Sequence, residues 1–181
     1  MKIEGFIWLA DIVDKIETKH SVATSEVDSL FVTKPIFSKV EKGRIKGEDV
    51  YRALGQTDSG RYLAVFFIYK MSREALVISA RSMTDGEKNI MQKGKGKATS
   101  KRDDLPDAFQ SIAEAGAFWD SHDSADYEDM MEDVDFETDI KRQIYLVPIA
   151  GAILGDLRQK AKSQGLSTET IVNLLLQEHV G

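Results

Sequence analysis

A stretch that contains acidic residues but no basic ones is the feature that most constrains this chain. Residues 103–140 hold 14 Asp and Glu and no Lys or Arg. The chain is also asymmetric, because residues 1–97 carry a net charge of +4 and residues 98–181 a net charge of −10. An acidic block repels itself unless cations approach it, and most such blocks are solvated linkers or tails. Docking of the block onto the basic part of the same chain is the alternative, and the sequence leaves both open.

The remaining composition limits the class of protein. A chain of 181 residues suits one or two domains, and the lack of cysteine excludes a disulfide framework and a thiolate metal site. The apolar patch at the N-terminus is too short for a signal peptide, and no stretch reaches the roughly 18 apolar residues that cross a bilayer. Asp120, Asp123 and Asp126 recur every three residues but lack the glycine of a calcium loop. We therefore expect a soluble, cytoplasmic protein with no metal and no cofactor.

The first 95 residues predict an α+β domain. Apolar residues at helical spacing predict helices over 10–19 and 24–32, and Thr84 suits the N-cap of a third helix. Alternation with period two predicts four strands between them, over 36–41, 49–55, 61–69 and 75–81. Turn residues at 57–60 join the second and third strands as a hairpin. This order predicts an antiparallel sheet with helices packed on it, followed by a Lys- and Gly-rich boundary.

The rest of the chain predicts a tether and a small terminal unit. Residues 96–139 combine a linker, a helix over 105–119 and an acidic run with scattered apolar residues. Residues 140–181 predict a short strand followed by helices over 150–164 and 168–179. So short a unit cannot cover its own apolar faces. Pairing with a second copy and packing on the first domain are the two solutions left open.

The sequence FWDSHDSADYEDMMEDVDFE, followed by a short strand and GLSTETIVNLLLQEHV, resembles the CopG-type antitoxins of bacterial type II toxin–antitoxin systems, of which BrnA is an example. The resemblance covers about residues 117–180. It implies a ribbon-helix-helix unit that dimerises and binds operator DNA. It assigns toxin neutralisation to Phe118, Trp119, Asp120, Asp123, Asp126 and Tyr127. It assigns DNA binding to Lys141, Arg142 and Gln143, although the strand has few polar residues beyond these three.

Four phrases of the N-terminal domain resemble BrnT-type toxins, which are small RelE-like ribonucleases. The phrases are KHSV at 19–22, GEDVYRALG at 47–55, GRYL at 60–63 and VISAR at 77–81. The resemblance covers about residues 6–92. It implies a RelE-like fold and RNA as the partner of this domain. Family members often have further basic residues after the last phrase, whereas this chain continues with SMTDGE.

Four residues of this domain are candidates for catalysis. Metal-free RNA cleavage needs a base for the 2′-hydroxyl, cations for the charge that develops at phosphorus and an acid for the leaving oxygen. His20 suits proton transfer, Arg61 and Arg81 suit charge stabilisation, and Glu48 suits a base or a partner for an arginine. The structural alternatives are a helix end for His20, an exposed strand end for Arg61, and a Glu48–Arg81 ion pair.

The opposite charges of the two halves suggest how such an enzyme is controlled. We expect residues 105–136 to lie across the surface that holds His20, Arg61 and Arg81, with aromatic residues supplying most of the affinity. Docking within one chain and a swap between two chains are both open. The sequence thus predicts a toxin–antitoxin fusion. The alternative is a non-enzymatic DNA-binding or regulatory protein with an inactive toxin-like fold.

Overall fold

A computed structural model of the chain describes residues 1–43, 45–94, 102–106 and 109–180. It divides into two compact units, Met1–Leu146 and Val147–Gly181, which we call the first and second units. This division differs from the predicted segments 1–95, 96–139 and 140–181. Most of the predicted Lys- and Gly-rich boundary lies outside the described residues.

The first unit contains both helices and strands, and the described elements of the second unit are helices. The first unit contains, in chain order, β1 (Lys2–Leu9), α1 (Ala10–His20), α2 (Thr24–Val32), β2 (Ile36–Glu41), β3 (Val50–Gln56), β4 (Tyr62–Tyr69), β5 (Glu74–Ser82), α3 (Asp85–Lys93), α4 (Ile112–Ser121), a 3₁₀ helix (Ser124–Met130), β6 (Glu132–Val134) and β7 (Glu137–Leu146). The second unit contains α5 (Gly151–Gln164) and α6 (Thr168–Val180). The α+β class is therefore confirmed. Within the described residues, no helix is long and apolar enough to span a membrane.

The strands of the first unit form one sheet in the order β6-β2-β3-β4-β5-β1-β7. Strands β2 to β5 form the predicted antiparallel meander, and β6 adds an antiparallel edge beside β2. The hairpin between β3 and β4 turns at Gly60, whose φ of +88° suits glycine. The prediction of a purely antiparallel sheet is wrong, because β1 pairs in parallel with both β5 and β7.

The strand β1 was not predicted, although it lies inside the sheet. Ile3, Phe6 and Trp8 are fully buried in it. The helix α1 follows directly, so that a short apolar run precedes a helical pattern without any turn residue between them. Strand β7 also begins earlier than predicted, at Glu137, because its N-terminal half continues the pairing with β1. The first unit therefore extends well beyond residue 95.

The sheet carries a core on each face. Helices α1 and α2 cover one face, where Phe67 and Phe31 pack together. The other face packs against residues contributed by the acidic part of the chain, namely Phe109, Ala115, Trp119, Tyr127 and Met131. We call residues 102–106 and 109–136 the acidic segment. The segment is thus a packed layer of the first unit, and the interpretation of a solvated linker is wrong for it.

Capping residues set the starts of the helices in and beside this layer. Thr84 accepts a hydrogen bond from Glu87 N, and the Glu87 carboxylate accepts one from Thr84 N, which is a capping box at the start of α3. Ser111 Oγ accepts from Glu114 N and caps α4. This cap explains why α4 begins at Ile112 rather than near residue 105; residues 107 and 108 lie outside the described residues.

The second unit confirms both predicted terminal helices. Helix α5 ends at Gln164 and is followed by Gly165, which has a left-handed φ of +68°, and Ser167 Oγ accepts a hydrogen bond from Thr170 N at the start of α6. Ala161 of α5 and Ile171 of α6 are buried. Several large apolar side chains of this unit stay exposed, namely Ile153, Leu166, Leu174, Leu176 and Val180.

Candidate functional site

A row of side chains crosses the sheet beneath the acidic segment, and we call this side of the sheet the covered face. The strand registers place Ser38, Arg52, Phe66 and Ser79 opposite one another on β2, β3, β4 and β5. All four are fully buried. Arg81 lies two residues beyond Ser79 on β5 and therefore points to the same face. The covered face thus combines two buried guanidinium groups with two hydroxyls and an aromatic ring.

The carboxylate of Asp120 lies at the β5 end of this row, among basic groups of α1. Its Oδ2 is 3.2 Å from Nζ of Lys15 and of Lys19, and its Oδ1 is 3.2 Å from Nε2 of His20. Ser79 donates a hydrogen bond to Oδ1. Only 1% of the Asp120 side chain is exposed. One buried carboxylate therefore faces two ammonium groups, an imidazole and a hydroxyl, and we call this group the Asp120 cluster.

The local structure of α1 and α4 explains why these groups meet. Lys15 and Lys19 are four residues apart and lie on one side of α1. Lys15 also donates to Ile78 O at 3.0 Å, which fixes its ammonium group over β5. Helix α4 lies close to β5 at Gly116, where a Cβ atom would lie 2.5 Å from Ile78 O. A glycine is therefore required at this position for α4 to lie close enough to β5 that Asp120 contacts Lys15 and Lys19.

The pKa of Asp120 reflects this environment. Burial alone would raise it, but the hydrogen bond from Ser79 and the charges of Lys15 and Lys19 outweigh burial, and the pKa is lowered. Asp120 is therefore ionised at neutral pH. His20 Nε2 is buried within ion-pair distance of the carboxylate but has no aligned hydrogen bond among the described residues.

Arg52 is the centre of a second charged group on the covered face. Its guanidinium donates to Glu128 Oε2 at 2.8 Å, to Ser38 Oγ at 3.1 Å and to Ser124 Oγ at 3.0 Å. Glu128 and Ser124 both lie on the 3₁₀ helix of the acidic segment. A buried charge that loses its partner costs about 3–5 kcal/mol. This pair therefore links the acidic segment strongly to the sheet.

Arg81 is neutralised by a different part of the chain. Its guanidinium forms a bidentate ion pair with Glu87 of α3, with both distances 2.8 Å. It also donates to the main-chain carbonyls of Trp119 and His122 in the acidic segment. Burial acts to raise the pKa of Glu87, but the hydrogen bonds and charge of Arg81 outweigh it and lower the pKa. The structural alternative of a Glu48–Arg81 ion pair is wrong, since Glu87 is the partner of Arg81 and Lys70 is the partner of Glu48.

Aromatic side chains anchor the acidic segment over the same face. The Trp119 ring is fully buried and stacks on Phe66 with ring centroids 4.9 Å apart. Phe118 and Tyr127 contact Trp119 edge to face at 4.9 and 5.5 Å. Tyr127 also donates to Asp103 O at 3.0 Å. Three of the six residues predicted to neutralise the toxin thus form one aromatic cluster.

The other predicted neutralising acids have different positions. Asp120 is the centre of the Asp120 cluster described above. Asp123 accepts from Ala125 N with its carboxylate and caps the 3₁₀ helix. The main-chain carbonyl of Asp126 accepts a hydrogen bond from Arg102. Asp123 and Asp126 therefore shape the segment itself, whereas Asp120 binds the cations.

The four predicted catalytic residues do not form a single group. Arg61 donates to His20 O at 3.0 Å and pairs with Glu26 at 3.1 Å, so it lies beside the end of α1. Glu48 instead forms an ion pair with Lys70. His20 and Arg61 are thus neighbours, Arg81 lies on the covered face, and Glu48 is held elsewhere.

Glu48 and Lys70 line a cavity of about 250 Å³ between the sheet and the start of α4. Glu41 and Phe109 line it as well. Burial raises the pKa of Glu41 to about 7, although a main-chain hydrogen bond from Phe109 acts in the opposite direction. The cavity is therefore lined by a carboxyl group that takes up a proton near neutral pH.

The residues predicted to bind DNA lie on β7. Lys141 pairs with Asp139, Arg142 pairs with Glu74, and Gln143 bonds to Asp28. Strand β7 has β1 as its sheet neighbour in the described part of the chain and is an edge strand. The expected role of these residues in base contacts stays a prediction.

Sequence reasoning did not assign roles to several residues of the covered face. Lys15 and Lys19 could have been found from their spacing of four on a predicted helix beside His20. Arg52 could have been found as the basic residue inside an apolar strand. Glu128 gives no such sign, because its partner Arg52 is 76 residues away in sequence. Glu87 is only six residues from Arg81, but the sequence pattern indicates it as part of a helix start and not as the partner of an arginine. In the described ranges, no three His, Asp or Glu residues gather into a metal site.

The fold and this face define an α+β protein whose acidic segment packs on its own sheet and pairs with a buried arginine of β3 and with basic groups of α1. Residues 103–179 match the family model described as the CopG antitoxin of type II toxin–antitoxin systems. This match confirms the resemblance to antitoxins. The matched region begins at residue 103 and therefore includes all of the acidic segment after residue 102. No curated protein matches the chain. The C-terminal part of the chain is thus similar to an antitoxin of a toxin–antitoxin pair.

Proposed function

We propose that this chain is a toxin–antitoxin fusion whose N-terminal part is a RelE-like, BrnT-type ribonuclease held inactive by the acidic segment. The antitoxin family match supports the second half of this statement. The first half rests on the four toxin-like phrases and on the chemistry of the covered face.

The observation that carries the proposal is that the antitoxin-like phrase contacts two of the toxin-like phrases in the structure. The antitoxin-like phrase FWDSHDSADYEDM supplies Trp119 and Asp120. These bind Arg81 and Ser79 of the toxin-like phrase VISAR, and His20 of the phrase KHSV. An antitoxin that must block a phosphate-binding enzyme needs acids and apolar anchors at the active surface.

The proposed chemistry is a metal-independent transfer within RNA. A base removes the proton of the 2′-hydroxyl, the 2′-oxygen bonds to phosphorus, the bond to the 5′-oxygen breaks, and an acid protonates the leaving oxygen. We assign proton transfer to His20 and stabilisation of the phosphorane charge to Arg61 and Arg81. Glu48 remains the second proton-transfer candidate on sequence grounds, and its pairing with Lys70 makes it the weaker one.

We also propose that residues 140–181 act as a ribbon-helix-helix unit that dimerises and binds operator DNA. The exposed apolar side chains of α5 and α6 support this, since a second copy would cover them. Strand β7 supports it independently, because an edge strand has backbone groups available for a further strand. Lys141, Arg142 and Gln143 are the proposed DNA contacts.

The substitution Gly116→Ala in the full chain tests the proposed ribonuclease activity and its inhibition by the acidic segment. The added methyl group would lie 2.5 Å from Ile78 O, so α4 must move away from β5. Gly155→Ala is the matched control, because Gly155 is also in a helix but its Cβ atom would meet nothing within 4 Å. We expect Gly116→Ala to arrest growth and degrade cellular RNA on expression, and Gly155→Ala to do neither. A soluble, folded Gly116→Ala protein that leaves RNA intact would favour the non-enzymatic DNA-binding alternative.

A further inference from the structure

We propose that Lys15, Lys19, His20 and Ser79 form a binding site for one phosphate group, and that Asp120 occupies this site in the intact chain. The inference deepens the proposed function and rests on it for the source of the phosphate, which is the RNA backbone. It assigns phosphate binding to Lys15, Lys19 and Ser79, which have no role predicted from the sequence.

The geometry is that of a preformed anion site. Donors reach the Asp120 carboxylate from two elements, α1 and β5, and converge on both of its oxygens. Lys15 is held by its hydrogen bond to Ile78 O, and Ser79 is fixed in a buried strand. These donors therefore stay in place when the anion leaves, as a binding site requires.

The charges in this cluster do not balance. Elsewhere near the covered face each arginine meets one carboxylate: Arg52 meets Glu128, Arg61 meets Glu26, and Arg81 meets Glu87. Among the described residues, Asp120 is the one carboxylate that faces the two ammonium groups here, and a third positive charge is present whenever His20 is protonated. A phosphodiester has two non-bridging oxygens and one negative charge, as the Asp120 carboxylate does, and the charge that develops at phosphorus during cleavage would be stabilised by the excess of positive charge in this cluster.

The Asp120 cluster contains two electrostatically unfavourable features, and these argue against a purely structural role. Lys15 and Lys19 are like charges four residues apart on one helix, which destabilises a helix unless an anion lies between them. Asp120 lies in the last turn of α4, where the helix dipole disfavours a carboxylate. A simple ion pair would need neither feature. Both are explained if α1 and β5 are built to hold an anion that Asp120 imitates.

Asp120→Ala in the full chain opens the site for a direct test. The measurement is the thermal midpoint in chloride and in 10 mM inorganic phosphate at equal ionic strength. If the dissociation constant is about 1 mM, we expect phosphate to raise the midpoint of Asp120→Ala by about 3–6 °C and to leave the unsubstituted chain unchanged. Adding Ser79→Ala and Lys15→Met to Asp120→Ala should abolish the response.

Asp126→Ala is the control for the change in net charge, since it removes an acid of the same segment that does not belong to the cluster. A folded Asp120→Ala protein that does not respond to phosphate overturns the proposal, and so does an equal response of Asp126→Ala. Asp120→Asn, which keeps the shape of the side chain, is the second variant. If neither Asp120 variant folds even in phosphate, Asp120 is a structural residue and the proposal fails.

A second arm identifies the source of the phosphate. The probe is a dinucleotide with one phosphodiester and a 2′-deoxy first sugar, which cannot be cleaved. Binding to Asp120→Ala at least as tight as that of inorganic phosphate supports RNA as the source, and a response to inorganic phosphate alone overturns that assignment. Because this readout does not require cleavage, a phosphate response in a chain whose Gly116→Ala variant leaves RNA intact would refute the enzyme but not the site.

Discussion

Replacing Trp119 by alanine tests whether an aromatic anchor holds the acidic segment on the sheet. The indole is fully buried, stacks on Phe66 and makes edge contacts with Phe118 and Tyr127. Burying a tryptophan removes about 200 Å² from water, which at about 25 cal/mol per Å² gives about 5 kcal/mol as an upper limit. Measured losses for such truncations are about 3–5 kcal/mol. We expect the free energy of unfolding to fall by this amount.

Urea denaturation followed by far-UV circular dichroism measures the loss. With a slope of about 2 kcal/mol per M, the midpoint should fall by about 1.5–2.5 M. The chain has two tryptophans, and Trp8 lies in the core on the opposite face of the sheet. Its fluorescence therefore reports in Trp119→Ala whether the sheet unfolds together with the segment.

Tyr145→Ala is the matched control, because this aromatic side chain is 50% exposed. We expect Tyr145→Ala to cost less than about 1 kcal/mol. The reasoning is refuted if Trp119→Ala costs no more than Tyr145→Ala. It is also refuted if Trp119→Ala leaves the hydrogen exchange of residues 112–121 unchanged, since release of the anchor must expose α4.

Three further predictions concern charge and assembly. Arg52→Met should lower the free energy of unfolding by about 3–5 kcal/mol, and adding Glu128→Gln should restore part of it, as a double-mutant cycle in urea would show. The pKa of Glu41 is raised in the folded chain, so its contribution to the free energy of unfolding depends on pH. That contribution is fully present below about pH 4.3, the pKa of a Glu in the unfolded chain, and is lost as the pH rises through about 7. Glu41→Gln should therefore gain about 1 kcal/mol over the unsubstituted chain between pH 5 and 8, after allowance for solvent screening, and an unchanged difference would contradict this. Light scattering should give a dimer or a larger even-numbered assembly, and Leu174→Ser with Leu176→Ser should shift it towards the 20.2 kDa monomer.

Much of the fold could be predicted from local patterns. Strands β2 to β5, helices α1 to α3 and helices α5 and α6 were predicted within a few residues, because period, caps and turns act over short distances. The sequence did not predict β1 and β6, because neither differs locally from a loop or a helix start. Strand β6 has three residues and exists through its pairing with β2. The parallel pairs of β1 join segments that are far apart in sequence, and no local pattern encodes such partners.

The candidate site was predicted less completely than the fold. His20, Arg81, Trp119 and Asp120 were selected, and the structure brings them to one region. The carboxylates that pair with the buried arginines were not selected, because Glu87 and Glu128 look like ordinary surface acids in the sequence. What distinguishes them is burial against an arginine, and burial of a charge depends on the whole packed layer.

The placement of β1 between β5 and β7 determines when the sheet can be completed during translation. Strand β1 is made before both of its neighbours, and the side of its backbone that pairs with β7 stays open until residues near 146 have been made. The acidic segment is synthesised before β7, so it is present before the sheet reaches its final width. Long-range parallel pairing is slow to form, which lengthens this interval. A sheet completed in this way acquires its cover during translation, and a nascent chain has no stage at which the finished sheet exists without it.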